Sequence, residues 1–256
     1  MSILSAFSLE GKTALVTGAA RGLGQAMAIG LAEAGADLML VDCDSLDVTS
    51  KEIEKLARKC GQLIVDLSTL KKRQAAELVE DTVKALGGLD IMVNNAGIIR
   101  RHPTVEFSEA DWEEVVNLNL SSVFYLCQAA GKYFAEQNQS GKIINMASML
   151  SFQGGFMVPS YTATKSALAG LTRALANEWA SRNINVNAIA PGYFITEVTA
   201  GIRSDELRNK AVLDRIPAGR YGTPDELKGI VVFLASAASD YLHGAVLPID
   251  GGWLSR

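Results

Sequence analysis

Seven short apolar runs, each parted from the next by a longer helix-periodic segment, limit what this 256-residue chain can fold into. "TALVT", "DLMLVD", "QLIVD", "LDIMVNNAG", "GKIINMAS", "NINVNAIAP" and "AVLPID" show almost no polar alternation. A strand that is apolar on both faces is buried on both faces, and a helix between successive strands makes their pairing parallel. Helices are predicted in "GQAMAIGLAEAG", "SKEIEKLARKC", "QAAELVEDTVKAL", a single long "DWEEVVNLNLSSVFYLCQAAGKYFAEQ", "YTATKSALAGLTRALANEWASR" and "PDELKGIVVFLAS". Right-handed crossovers then give an α/β, doubly wound parallel sheet of Rossmann type with helices on both faces. No composition break, repeat or linker divides residues 1–256, which read as one domain. The least regular part, residues 193–218 ("YFITEVTAGIRSDELRNKAVLDRIPA"), lies between two core strands and reads as a lid over a site.

Composition removes several classes of function. Hydrophobic residues make up 48% of the chain and the mean hydropathy is +0.16, enough for a sizeable core. The net charge of −4 without a long basic run lacks the footprint of a nucleic-acid binder. No apolar stretch is long enough to span a bilayer, and "MSILSAFSLEGK" has neither the basic start nor the apolar length of a signal peptide. Cys43, Cys60 and Cys127 show no paired spacing, which fits reduced thiols. A cytoplasmic protein is expected. His102 and His243 are the only histidines and neither has metal-ligand spacing, so no metal is expected.

"TGAARGLG" joins the first strand to the first helix, with Gly18, Gly22 and Gly24 in the turn. Glycines there let backbone N–H groups reach a pyrophosphate, and the helix N-terminus adds partial positive charge. Asp42 ends the second strand, where a carboxylate can accept hydrogen bonds from both hydroxyls of an adenosine ribose. There it would repel the extra phosphate of NADP, making NAD the expected cofactor and NADP the lesser one. Arg21 argues mildly the other way. Asp66, closing "LIVD", and "NNAG" at Asn94 to Gly97 lie at the same strand ends, as an adenine contact and a small-residue floor, or as plain turn chemistry.

Tyr161 stands four residues before Lys165 in "YTATK", which places both heads on one helical face. Ser148 follows a strand that ends at the same sheet edge. A free tyrosine titrates near about 10, and lowering it to about 7 takes roughly 4 kcal/mol of phenolate stabilisation. A neighbouring ammonium and a positive nicotinamide carry charges of the required sign. The phenol then exchanges a proton with a carbonyl or alcohol oxygen that Ser148 orients, while hydride moves to or from the cofactor. A solvated surface pair is the alternative. A Ser-His-Asp hydrolase would need a G-x-S-x-G elbow, which is absent around Ser148. A non-catalytic dinucleotide sensor on the same fold is the rival of a different class.

Together "TGAARGLG", "NNAG", Ser148 and "YTATK", in that order along essentially the whole chain, resemble the short-chain dehydrogenase/reductase family. The resemblance implies a single domain with a seven-stranded parallel sheet and a catalytic tetrad of Asn119, Ser148, Tyr161 and Lys165. Tyr161 is then the acid/base, Lys165 also holds the nicotinamide ribose, and Asn119 fixes a water. It further implies dinucleotide contacts at Gly18, Arg21, Gly22, Leu23, Gly24, Asp42, Asp66, Leu67, Asn94, Ala96, Gly97, Tyr161 and Lys165. "APG", ending in Pro191 and Gly192, with Ile195 and Thr196, matches the segment that holds the carboxamide. A homotetramer is implied as well.

Within the family, "NNAGIIRR", "NMASMLSFQGG" and "DRIPAGRYGTPDEL" are similar to members that act on sugar acids. Arg100 or Arg101, after the fourth strand, could grip a substrate carboxylate as a bidentate pair, or both could be solvated loop residues. Gln153, in the loop after Ser148, is a candidate for a sugar hydroxyl or a plain loop residue.

Overall fold

A computed structural model describes residues 2–256. Its strands are β1 (Thr13–Thr17), β2 (Asp37–Asp42), β3 (Cys60–Ile64), β4 (Ile91–Asn94), β5 (Gly141–Met146), β6 (Ile184–Pro191) and β7 (Val246–Ile249). All pair in parallel in the order β3-β2-β1-β4-β5-β6-β7, so the winding reverses between β1 and β4. That reversal opens a crevice at the carboxyl edge, where ligands of such sheets bind.

The helices are α1 (Gly22–Glu33), α2 (Asp47–Lys55), α3 (Lys72–Leu86), α4 (Glu109–Val116), α5 (Ser122–Glu136), α6 (Pro159–Trp179), α7 (Glu197–Arg203), α8 (Glu206–Arg215) and α9 (Lys228–Ala235). Strand side chains alternate between two cores. Val16, Leu38, Leu40 and Val93 meet Met27 and Leu31 of α1, Ile53 of α2 and Leu234 of α9. Leu15, Met39, Val41 and Met92 meet Leu78 of α3, Phe134 of α5 and Leu168 of α6 on the other face. The inner strands β1, β4, β5 and β6 are buried at every position because both their faces are covered, while the edge strands β3 and β7 stay partly open.

Two elements depart from the sequence reading. The long helix predicted over 111–137 is interrupted by a π-helical turn, Asn117–Ser121, between α4 and α5. Such turns open the helical ladder by one residue and recur at functional sites. The stretch 193–218, read as irregular, contains α7 and α8. Thr196 and Thr199 form a reciprocal cap on α7, and the Asp205 side chain accepts from Arg208 N on α8. These caps satisfy orphan donors at both N-termini, which lets helices of 7 and 10 residues form with few apolar contacts. No helix among the described residues is long and apolar enough to cross a membrane.

Candidate active site

A cleft of about 710 Å³ runs along the carboxyl edge from the Gly-rich turn to Ser148 and Tyr161. At one end, Gly18 and Gly22 take positive φ angles of 65° and 61°, open to glycine at little cost. A Cβ on Gly18 would stand 2.7 Å from Asn95 Nδ2, and one on Gly24 would collide with the Gly18 carbonyl. Backbone thus approaches backbone too closely for any side chain. Helix α1 begins here without a side-chain cap and without an acidic residue in its first turn. Its first N–H groups are left facing the cleft beside the positive end of the helix dipole, a surface that fits a pyrophosphate.

Asp42 Oδ2 accepts from Ala20 N at 2.9 Å and Oδ1 from Asp44 N at 3.2 Å, so the carboxylate is fixed at the β2 end. Arg21 does not stand free. Its Nη1 pairs with Asp44, and its Nε lies 2.8 Å from Glu197 Oε2 on α7. Asp66 caps the turn after β3, its Oδ1 accepting from Ser68 N at 2.8 Å, and lines the cleft with Leu67. Every dinucleotide residue expected from the sequence lines the cleft except Asn94. The Asn94 side chain turns into the core, where Nδ2 donates to Asn145 Oδ1 at 2.9 Å and to Cys127 Sγ at 3.3 Å. Asn95 takes the place at the cleft. Its Nδ2 donates at 3.0 Å to the carbonyls of both Thr17 and Gly18, tying "NNAG" to the Gly-rich turn.

At the other end, Pro159 opens α6, a position where its missing N–H costs nothing, and Tyr161 follows in the first turn. Ser148 sits just past β5, 7% exposed, its Oγ accepting from Leu150 N at 3.1 Å, and is close enough to the Tyr161 phenol to influence it. Lys165, one turn along α6, is only 4% exposed; its Nζ donates to Met146 O at 2.5 Å and lies 5.5 Å from the Tyr161 ring centre. Burial pushes the Tyr161 phenol up, with Ser148 as the counterweight, and pulls the Lys165 ammonium down to about 8. The sequence argument expects the ammonium to acidify the phenol. Instead desolvation outweighs every charge the chain itself brings to this pocket.

Asn119, in the π-turn, is fully buried, and both ends of its amide are engaged by one residue. Its Oδ1 accepts from Ile98 N at 2.9 Å and its Nδ2 donates to Ile98 O at 2.8 Å. A Cβ on Gly97 would lie 3.2 Å from Asn119 Oδ1 and 3.7 Å from Lys165 Nζ, so that glycine lets the two approach. The side chain of Asn119 therefore locks the loop after β4 against the π-turn.

Arg100 lines the cleft, but its guanidinium is held bidentately by Glu114, Nε donating at 2.9 Å and Nη2 at 2.8 Å. Glu114 lies in "DWEEVV", where no spacing links it to Arg100. Arg101 and Gln153 lie outside the cleft lining.

A family model described as enoyl-(acyl carrier protein) reductase matches residues 18–254. The 2-dehydro-3-deoxy-D-gluconate 5-dehydrogenase of Escherichia coli (strain K12) is 55% identical over 254 residues, covering 99% of this chain and all of that one. The enzyme of the same name from Bacillus subtilis (strain 168) is 52% identical over 254 residues, with 98% of each chain covered. A solved structure from Agrobacterium tumefaciens, assigned as a 2-deoxy-D-gluconate 3-dehydrogenase with NADP bound, superposes with a TM-score of 0.92. It is 52% identical and covers 98% of this chain and 99% of its own.

Proposed function

The chain belongs to the short-chain dehydrogenase/reductase family, and on that premise we propose that it interconverts the 5-hydroxy and 5-keto forms of a 3-deoxy-2-keto sugar acid. The carrying observation is that Ser148, Tyr161 and Lys165 share one cleft with an uncapped, glycine-lined helix N-terminus. When bound, NAD⁺ accepts hydride from the carbinol carbon and brings a positive ring beside the phenol.

Ser148 holds the substrate oxygen by a hydrogen bond, while Tyr161 Oη takes the hydroxyl proton in oxidation and returns it in reduction. Lys165 braces the pocket floor through Met146 O and adds positive charge next to the forming phenolate. Asn119 positions the loop after β4 through Ile98. The dinucleotide is held by the turn from Gly18 to Gly24, by Asp42 at its ribose, by Asp66 and Leu67, and by Pro191 to Thr196. Turnover of a panel of hydroxy and keto sugar acids with NAD⁺ and NADH tests the assignment. The highest kcat/KM is expected for 2-dehydro-3-deoxy-D-gluconate; no turnover of any sugar acid would sink it in favour of a non-catalytic role.

NAD is the preferred cofactor in this reading. Two features support it: Asp42 is fixed at the β2 end of the cleft, where it would accept from an adenosine ribose, and Arg21 is occupied by Asp44 and Glu197. At an effective dielectric of about 20, two unit charges about 4 Å apart repel by roughly 4 kcal/mol. Asp42→Ala is therefore expected to lower the NAD-over-NADP preference by about two decades. A ratio unmoved by the substitution would remove Asp42 from that role.

We read the protein as cytoplasmic and homotetrameric. Exposed Ala163, Gly170 and Ala174 along α6, with exposed Trp112 and Phe124 on α4 and α5, support an intersubunit face. A monomeric mass in light scattering would exclude it.

A further inference from the structure

Sequence offers Arg100 and Arg101 equally as carboxylate ligands; the structure separates them. Arg100 already closes a bidentate pair on Glu114, with Asp111 3.5 Å from its Nε. Arg101 has no carboxylate within ion-pair distance among the described residues, and the same holds for Arg208 and Arg215 on α8. Each lies close enough to Tyr193 for its charge to hold the phenol down against the burial that pushes it up.

Arg215 is the best placed of the three. Its guanidinium carbon lies 4.0 Å from the centre of the Trp253 ring, a stacking that fixes its plane. Its Nη2 donates to Gln153 Oε1 at 3.1 Å, in the loop that follows Ser148. Trp253 in turn packs on Tyr193, ring centres 5.0 Å apart, and Tyr193 directly follows the cleft residue Gly192. A guanidinium carries five donors, and only one of those on Arg215 has a partner. An oriented fork with four donors unused and no acid to neutralise it, beside a tyrosine that also feels the charges of Arg101 and Arg208, suits a planar anion. It stands over a cluster in which Met149 and Leu150, directly after Ser148, pack with Tyr193, Trp253 and Val212 of α8, which puts it on the Ser148 side of the cleft. The nucleotide phosphates belong to the opposite end, at the Gly-rich turn.

We infer that Arg215, seconded by Arg101, anchors the carboxylate of the substrate, and that Arg100 does not. The lid would then close on the charged end of the sugar acid while its hydroxyl end reaches Ser148 and Tyr161. This inference rests on the sugar-acid reading above and specifies which residues make that class of substrate preferred.

Steady-state kinetics on 2-dehydro-3-deoxy-D-gluconate and its methyl ester test the anchor in the full-length enzyme. Wild type should prefer the acid. Arg215→Ala should raise KM for the acid on the order of tenfold to a hundredfold, with a smaller change in kcat and a matching fall in acid-over-ester preference. Arg101→Ala should move the same ratio less far, and Arg215→Lys should recover part of it. Arg100→Ala should leave it where wild type has it. An acid KM and an acid-over-ester ratio within twofold of wild type in Arg215→Ala would overturn the anchor while leaving the sugar-acid activity standing. A wild-type enzyme inert toward both compounds and all sugar acids would overturn the functional reading and the anchor together.

Discussion

Tyr161→Phe is expected to lower kcat by about three decades or more while changing NADH affinity no more than a few-fold. Phe keeps the ring, which packs on α6 with Lys165 Nζ 5.5 Å from its centre, and removes only Oη. General acid–base catalysis contributes roughly 10²- to 10⁴-fold, and no other side chain here can take over the proton. Ser148 has the right reach but an alcohol's acidity, and Lys165 Nζ is directed to Met146 O. Loss of Oη leaves the ring's packing in place and costs at most about 1 kcal/mol of polar contact, so the variant should fold and bind dinucleotide. Because burial raises the phenol, little phenolate exists at neutral pH before the cofactor's charge arrives. Wild-type oxidation should therefore rise with pH and reduction fall, and Tyr161→Phe should lose both slopes. Single-turnover absorbance at the reduced nicotinamide band, with binding titrated separately, reads both effects. Retention of a tenth of wild-type turnover would reject Tyr161 as the proton carrier.

How far the sequence foretold this site depends on whether a signal was local. Strands β1, β2 and β6 were legible to within a residue, since runs such as "TALVT" and "DLMLVD" have a continuous apolar centre bounded by polar residues. The meeting of the glycine turn with Tyr161 and Lys165 in one cleft was legible because short fixed spacings carry both motifs. The π-turn at Asn117–Ser121 was not, because an inserted residue in a helical ladder leaves the apolar period almost intact. Nor were α7 and α8, whose order comes from caps at Thr196 and Asp205 and not from a broad apolar face. Asn94 and Asn95 show the same limit at single-residue scale. Adjacent residues at a strand end point to opposite sides, and "NN" does not say which one turns inward. Charge partners are the least legible of all. Arg100 with Glu114 and Arg215 with Trp253 are contacts between separate elements, so two neighbouring arginines that look alike in sequence meet different fates.

Lys165→Met should remove roughly three decades of activity and, unlike Tyr161→Phe, should also weaken dinucleotide binding, because Nζ charges the phenolate and, as the family resemblance implies, also holds the nicotinamide ribose. Met is close to Lys in length and apolar, so the pocket should stay filled. A second signature of the same substitution lies in stability against pH. Burial lowers the folded-state ammonium from 10.5 to about 8. Below about pH 8 both folded and unfolded chains carry the proton, and the folded state bears the full cost of a buried charge. Between about 8 and 10.5 the unfolded chain keeps a proton that the folded chain has released, so stability rises with pH. At about 1.4 kcal/mol per unit the gain amounts to roughly 3 kcal/mol across that window. Met has no proton to release, so wild-type stability relative to Lys165→Met should climb by that order between pH 8 and 10 and stay level below it. Denaturant unfolding of both proteins across the range measures the difference directly, with all other titrations cancelling. A flat difference would mean the amine keeps its ordinary affinity for protons and is not desolvated, and the tyrosine beside it would lose the apolar surroundings on which its raised pKa depends.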